Sequence, residues 1–506
     1  MLQDYFKKIL LSRVYEIAEE TPLTAAKRLS EKLGHRVLLK REDLQPVYSF
    51  KIRGAYNKII HLSEQEKNRG IIAASAGNHA QGVAMSAQKL GLSAMIVMPT
   101  TTPQIKVNAV KSFGAKAILF GDSYDEAYGK ARELSLEQEL TFIHPYDDPY
   151  VIAGQGTIGM EVLRQAGEDI DAIFVPVGGG GLLAGIIAYV KVLRPDVKII
   201  AVEPEDAACL KAAMESGERT VLENVGIFAD GVAVKQIGKE TYRLVRDQVD
   251  DVVCVSTDEI CTAIKDIFED TRAITEPAGA LAVAGMKKYA QSQATENQTW
   301  VAIQSGANMN FDRLRHVAER SALGDSSESL LAVTIPEASG SFENFCRTLG
   351  RLSITEFNYR YADDAEAHVF VGVKTLGNEA EKMKIIGKLE AANYRVDDLS
   401  DNETAKLHIR YMVGGHAPKI ANERLYRFEF PERPGALLDF LTRLGKQWNI
   451  SLFHYRNHGA DFGRVLMGIQ VDPDKNEQFE QFVANFSYQF FEETDNVAYR
   501  LFANGS

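Results

Sequence analysis

Cysteine is scarce in this chain. The four present, Cys209, Cys254, Cys261 and Cys346, include no CxxC pair, which excludes a zinc-ribbon spacing and a dense disulfide framework and suits a reducing compartment. Basic residues are outnumbered: 57 Lys and Arg face 69 Asp and Glu, and the net charge of −12 would repel nucleic acid and anionic membranes. Any phosphate ligand must therefore be held locally. Long apolar runs are also missing, because the most apolar stretch, Leu182 to Val190, falls far short of the roughly 20 residues that span a bilayer. Residues Met1 to Leu11 carry Asp4, Lys7 and Lys8 with no apolar region after them, so no secretory signal is expected. These absences lead to a cytoplasmic chain with neither a nucleic-acid nor a membrane partner.

What is present is an ordinary globular composition, 45% apolar and 25% charged over 506 residues, enough for roughly three to four domains. From about Val37 to Asn310, short β-branched runs lead into small-residue loops and then into helical patterns. Ile71 to Ala74 precedes Ser75-Ala76-Gly77-Asn78, and Ala172 to Val177 precedes Gly178-Gly179-Gly180-Gly181. This alternation predicts an α/β region of parallel sheets covered on both faces, with ligands at the carboxyl ends of strands.

Four stretches at those ends carry candidate chemistry. Gly178 to Gly181, followed by Leu182, offers unobstructed backbone N–H groups at a helix N-terminus, where orphan donors and the macrodipole favour phosphate. Tight strand-to-helix packing is the alternative. The loop has neither a Walker lysine nor a dinucleotide spacing. Lys51, in Ser49-Phe50-Lys51-Ile52-Arg53-Gly54-Ala55, has an amine able to form a covalent link to an aldehyde cofactor. Taken alone it reads as a solvated lysine at the start of an amphipathic helix, and only the phosphate cradle elsewhere in the chain reverses that reading. Ser75, Ala76, Gly77, Asn78 and His79 form a small-residue loop open to a carboxylate; the Asn78 amide either bonds a phenolic oxygen or caps the following helix. Ser305, in Gln304-Ser305-Gly306-Ala307-Asn308, is either a turn residue or the partner of a ring nitrogen.

The second half differs. Gly324-Asp325-Ser326-Ser327-Glu328 is a polar break, and beyond it lies an internal repeat. Pro336-Glu337, Gly340, Phe345 and Leu349-Gly350 recur as Pro431-Glu432, Gly435, Phe440 and Leu444-Gly445 (431 − 336 = 95). Ile354, Phe357, Tyr359-Arg360 and Gly372 recur as Ile450, Phe453, Tyr455-Arg456 and Gly468 (450 − 354 = 96). Each copy is expected to run strand, helix, strand, strand: Leu330 to Ile335, a helix from Phe342, Ile354 to Tyr361 and Val369 to Val373, then Leu425 to Phe430, a helix from Leu437, Ile450 to Tyr455 and Val465 to Val471. That order describes an α+β sandwich on an antiparallel sheet, with no catalytic constellation in either copy.

The motifs Ser-Phe-Lys-Ile-Arg-Gly-Ala, Ser-Ala-Gly-Asn-His-Ala, Gly-Gly-Gly-Gly-Leu and Gln-Ser-Gly-Ala-Asn together resemble the fold-type II (tryptophan-synthase-β-like) pyridoxal phosphate family. Within it, the chain is most similar to the biosynthetic threonine deaminases, or threonine ammonia-lyases, with paired ACT-like regulatory domains. The resemblance implies a catalytic domain over residues 1–322 with two parallel-sheet subdomains, and ACT-like domains over 323–415 and 416–506. It makes Lys51 the lysine that carries pyridoxal 5'-phosphate and Asn78 the partner of the cofactor 3-hydroxyl. Gly178, Gly179, Gly180, Gly181 and Leu182 become the phosphate loop, Phe50 a neighbour of the ring, Ser305 the residue facing the pyridine nitrogen, and Ser75 to His79 the substrate-carboxylate loop.

The implied activity is dehydration and deamination of L-threonine, with L-serine as a second substrate, feedback inhibition by isoleucine, opposition by valine, and a homotetramer. Alternatives from the same residues are a broader serine/threonine dehydratase or racemase, and an amino-acid sensor without catalysis. Two departures bear on them. Ala76 stands where serine racemases of this fold have a proton-donating serine, and Cys209 stands where their metal site has a second carboxylate beside Glu203 and Ala207. No metal is therefore expected. The repeated Phe357, Tyr359, Arg360 and Phe453, Tyr455, Arg456 are candidate effector contacts, with core aromatics and solvated arginines as the alternative.

Overall fold

A computed structural model describes residues 1–167, 169–293 and 295–324, and then 328–336, 341–350, 352, 354–361, 366–375, 379–411, 422–431, 448–456, 462–485 and 488–502. The chain divides into two compact units, Met1–Ser321 and Ala322–Ser506.

The first unit is built on two sheets. Its strands are β1 (Leu23–Ala25), β2 (Arg36–Arg41), β3 (Ile71–Ala74), β4 (Ala94–Met98), β5 (Lys116–Leu119), β6 (Thr141–Phe142), β7 (Ala172–Pro176), β8 (Lys198–Pro204), β9 (Asp251–Val255) and β10 (Thr299–Gln304). The larger sheet has the order β1-β2-β10-β7-β8-β9 and the smaller β5-β4-β3-β6. All pairings are parallel except β1 with β2. That antiparallel edge departs from the all-parallel expectation: a three-residue strand leaves little pattern to read.

Burial follows the strand period of two. Along β10, Val301 and Ile303 enter one core with the helices Pro149–Ala166 and Gly181–Leu193, while Trp300 and Ala302 enter another with Thr257–Thr271 and Pro277–Ser292. The helix Gly181–Leu193 is apolar all round because it is buried from Gly181 to Val190. It crosses Pro149–Ala166 at glycine: a Cβ on Gly185 would lie 2.5 Å from the Ile152 carbonyl oxygen, so only hydrogen permits this approach of two backbones.

Beneath the helix Lys51–Ile60 sits a buried ionic cluster. Arg53 is fully buried and bonds Glu42 through Nε and Nη2, each at 2.8 Å, Glu161 through Nη1 at 2.5 Å and Nη2 at 3.0 Å, Thr157 at 3.1 Å and the Glu19 carbonyl at 3.0 Å. Lys40, also fully buried, meets Glu161 at 2.6 Å. Two cations and two carboxylates thus balance in the interior.

The second unit holds two copies of one sheet. The first contains β11 (Glu328–Pro336), β12 (Ile354–Tyr361), β13 (Glu366–Lys374) and β14 (Arg395–Asp398) in the order β12-β13-β11-β14, all antiparallel, with the helices Ser341–Leu349 and Glu379–Ala391. The second contains β15 (Glu423–Pro431), β16 (Asn449–Arg456), β17 (Phe462–Gln470) and β18 (Gln489–Glu492) in the order β16-β17-β15-β18, with the helix Asn476–Ala484. The repeat seen in the sequence is therefore a structural one, and each copy gains a further helix and a fourth strand that the sequence pattern did not reveal. The helix expected from Leu437 lies outside the described residues.

The copies touch through corresponding side chains. Asn402, which caps the short helix Glu403–Leu407, donates from Nδ2 to Asn496 Oδ1 at 3.1 Å, and Asn496 accepts from Ala498 N at 2.9 Å at the start of Val497–Phe502. Ala498 also joins Leu330, Ala332 and Phe370 in one apolar cluster.

Candidate active site

The four candidate stretches follow the carboxyl ends of four strands. The Ser75 loop leaves β3, the glycine loop leaves β7, Ser305 follows β10, and the segment before Lys51 leaves β2. Backbone bonds draw two of them together: Ser49 bridges Gly306, Phe50 N donates to the Ser305 carbonyl at 3.2 Å, and Ala307 N donates to the Tyr48 carbonyl at 2.9 Å. Phe50 packs against the core below. Tyr48, at φ 54, is a non-glycine residue in the left-handed region, a strain tolerated where surrounding bonds overdetermine the backbone.

Lys51 opens the helix Lys51–Ile60, and it is half-buried rather than exposed. Burial pulls its ammonium below the ordinary lysine range, against the opposing pull of Glu276 and Asp230, so the neutral amine that a covalent link requires is favoured.

The glycine loop lies under Tyr146. A Cβ on Gly179 would sit 2.2 Å from that ring, and one on Gly178 would sit 2.9 Å from Val232 Cα. No side chain caps the helix Gly181–Leu193, whose preceding residue Gly180 has φ 86. Its first N–H groups are therefore available to an anion, and Leu182 is buried in the core behind them. An uncapped helix start with no space for side chains, in a chain that also carries an amine of lowered basicity, fits a phosphorylated aldehyde cofactor.

Asn78 does not cap its helix. Gly77 is the N-cap residue of Asn78–Leu90 and no side chain serves it. Instead, Asn78 Nδ2 donates to Glu276 Oε1 at 2.6 Å, and its Oδ1 accepts from Asn308 at 2.7 Å. Ser75 Oγ accepts from Gly77 N at 3.2 Å, leaving the loop partly exposed through Gly77. His79 turns away: Nε2 meets the Ile143 carbonyl at 2.9 Å, and burial pushes its pKa down to about 3. The imidazole is neutral, and only its backbone belongs to the loop. Ser305 is 3% exposed, with Oγ donating to the Ala278 carbonyl at 3.2 Å.

Three charged residues escaped the sequence reading. Glu276 stands beside Asn78, its pKa pushed up to about 7, first by burial and then by Asp230. Asp230 Oδ2 meets Lys106 at 2.7 Å and Oδ1 meets Arg313 at 3.6 Å; burial opposes its charge, but the two cations outweigh that and hold it below the usual range. No local motif marks them. Glu276 precedes Pro277 at a helix start and reads as a cap, while Lys106 and Asp230 stand in separate stretches.

Next to the glycine loop, Cys209 Sγ donates to the Gly178 carbonyl at 3.4 Å. Glu203 accepts from Leu210 N at 2.7 Å and Lys211 N at 2.9 Å. Among the described residues no group of three or more His, Cys, Asp or Glu is placed to hold a metal. Nor is any described helix long and apolar enough to cross a membrane.

For the effector candidates, backbone register is available. Phe357 pairs with Val371, Tyr359 with Val369 and Arg360 with His368 along the edge strand β12; Phe453 pairs with Met467, Tyr455 with Val465 and Arg456 with Arg464 along β16. In each copy the two aromatic positions share one face and the arginine position falls on the other.

Comparison with known proteins agrees with this geometry. A family profile described as pyridoxal-phosphate dependent enzyme matches residues 14–306, and one described as the C-terminal regulatory domain of threonine dehydratase matches 319–409 and again 414–503. The chain is 55% identical over 502 residues to a Burkholderia multivorans protein named L-threonine dehydratase biosynthetic IlvA, covering 99% of both chains. It is 50% identical over 513 residues to threonine dehydratase, mitochondrial, of Saccharomyces cerevisiae, covering 99% of this chain and 89% of that one. Among solved structures, the processed form of threonine deaminase isoform 2 from Solanum lycopersicum superimposes with a TM-score of 0.62 at 49% identity, covering 63% of this chain and 93% of the other.

Proposed function

Because this chain belongs to the pyridoxal-phosphate-dependent enzymes and bears the C-terminal regulatory domain of threonine dehydratase, we propose that it is a lyase converting L-threonine to 2-oxobutanoate and ammonia. The water lost in the first half of the reaction is taken up again when ammonia leaves. The observation that supports the proposal is the Asn78–Glu276 hydrogen bond, with Glu276 also acting on Lys51 through its charge, while the glycine loop and Ser305 likewise follow the carboxyl ends of strands.

When bound, the cofactor supplies an electron sink for charge developing at the substrate Cα. The remaining roles fall to this chain. Lys51 would hold the cofactor through Nζ, and its amine, whose basicity burial depresses, would be the group that takes the Cα proton. Ser75, Ala76, Gly77, Asn78 and His79 hold the substrate carboxylate, the backbone supplying donors at the start of Asn78–Leu90. Ala76 has no exchangeable proton, so return of a proton to the opposite face, which racemisation needs, has no donor at that position. Gly178 to Leu182 would hold the phosphate, and Ser305 would serve as partner to the pyridine nitrogen.

The finer reading includes isoleucine as inhibitor, valine as its antagonist, L-serine as a further substrate, a homotetramer and a cytoplasmic location. The regulatory-domain match supports an effector. The two ligands differ by one methylene, a discrimination of about 1–3 kcal/mol in an apolar pocket.

The test is a keto-acid assay on L-threonine, L-serine and D-serine, with and without isoleucine. Threonine turnover suppressed by isoleucine is expected, with negligible D-serine turnover. In Lys51→Ala supplied with excess cofactor, kcat should fall by at least about a thousandfold, the range of one essential proton-transfer group. Full threonine turnover in that variant would overturn the assignment.

A further inference from the structure

The hydrogen bonds around Asn78 fix which end of its amide is which. Amide nitrogen and oxygen are assigned from their partners. The Val47 carbonyl can only accept, so the Asn308 atom that meets it at 2.7 Å is nitrogen. The second hydrogen of that nitrogen goes to Asn78 at 2.7 Å, so the receiving atom is oxygen. The opposite end of Asn78, 2.6 Å from Glu276 Oε1, is then nitrogen, and Glu276 accepts.

Counting hydrogens completes the picture. Both on Asn308 Nδ2 are engaged, by Val47 and Asn78; of the two on Asn78 Nδ2, Glu276 takes one and the other is uncommitted. Asn308 itself is well seated, because Ser305 to Ala307 are laced to Tyr48 to Phe50 by backbone bonds. Orientation therefore passes from a backbone carbonyl beside the Lys51 helix to the side chain assigned to the cofactor ring.

We propose that Asn308 is a positioning residue for the cofactor, fixing Asn78 so that its free N–H, rather than its carbonyl oxygen, points toward the 3-hydroxyl. This rests on the assignment of Lys51 and Asn78 to the cofactor made above. A donor there favours the ionised phenolic oxygen, and an acceptor there opposes it. Glu276 completes the arrangement as the acceptor that lets the Asn78 nitrogen turn inward.

Asn308→Asp is the sharpest probe. It places oxygen against both the Val47 carbonyl and Asn78 Oδ1; turning the Asn78 amide over relieves the second clash and brings Asn78 Oδ1 to Glu276, whose protonated carboxyl can donate to it. Asn308→Ala, which only frees the amide, covers the case in which the aspartate variant folds poorly. The readouts are the absorption of the bound cofactor without substrate, its dissociation rate, and the site of the hydride-trapped adduct. Both variants, like Asn78→Ala, should move absorbance from the longer- to the shorter-wavelength band and release cofactor about tenfold faster, the scale of one lost hydrogen bond. Combining Asn78→Ala with Asn308→Asp should add no further spectral change.

A purely structural role for Asn308 would lower the thermal midpoint and leave the band ratio of folded enzyme as in the parent; that result overturns the inference. So does a shift in Asn78→Ala with none in either Asn308 variant. In both cases an adduct still found on Lys51 leaves the underlying assignment standing. An adduct elsewhere than Lys51, or an Asn78→Ala spectrum identical to the parent's, overturns the assignment and the inference with it.

Discussion

Glu276 shows how one side chain couples the site to pH. Burial, then repulsion from Asp230, raises its pKa to about 7, while the Asn78 amide, Lys106 and Lys51 pull the other way. A carboxyl whose pKa is raised on folding binds its proton more tightly in the native state. Between the ordinary value of 4.5 and about 7, the folded protein holds a proton that the unfolded chain has released, so its contribution to stability declines as pH rises through that window and then levels off. The full swing is about 3 kcal/mol. Glu276→Gln should remove that slope, seen as a thermal-midpoint difference between cofactor-free variant and parent that changes from about pH 5 to about pH 8. Parallel curves would refute this reading. Lys51, Asn78, Ser305 and the glycine loop stand out in the sequence as candidates, since each sits in a compact motif. Glu276, Asp230 and Asn308 were opaque for the opposite reason: their partners stand far away in sequence, 198 positions from Asn78 to Glu276 and 124 from Lys106 to Asp230.

Among the elements, the helix Lys51–Ile60 depends most on what lies beneath it. Arg53, two residues beyond Lys51, joins Glu42 and Glu161, all three fully buried. Such a cluster adds little against an apolar replacement of the whole, but removal of one member strands the others. Arg53→Met should therefore destabilise the N-terminal unit by about 3–5 kcal/mol, measured as the loss in its thermal transition. Arg53→Lys, which keeps the charge and loses the planar fork, should cost less. Equal losses would show that bidentate geometry is unimportant. Elements were legible where burial imposed a period, as along β10 and the helix Gly181–Leu193. The strands β14 and β18 escaped because they contain no fully buried residue, with patterns of exposed and half-buried positions only. The helix Glu379–Ala391 buries Lys382 among its apolar residues, held by Glu379 and Asp398 at 2.8 and 2.9 Å, which blurs the apolar stripe that would mark it.

For the whole molecule, a separate C-terminal unit carrying no catalytic motif predicts that control is severable from chemistry. Truncation after Leu323 should leave threonine turnover that isoleucine no longer lowers, tested by titrating isoleucine against both proteins; persistent inhibition of the shorter chain would place the effector site in the catalytic unit. The duplication was visible because glycine, aromatic and arginine positions recur at near-constant offset, whereas the contact between copies had no sequence signature. That contact, Asn402 to Asn496, has a direction. An amide-to-amide bond between the copies makes one twin the giver and the other the receiver, so the fused halves are not interchangeable there even where their folds agree. Asn402→Asp forfeits one donor and keeps its cap, whereas Asn496→Asp sets a second carboxylate against Glu493, which Asn496 Nδ2 now bonds at 2.7 Å. The latter should lower the thermal midpoint of the C-terminal unit further, so the ancestral symmetry is already broken at the seam where the twins meet.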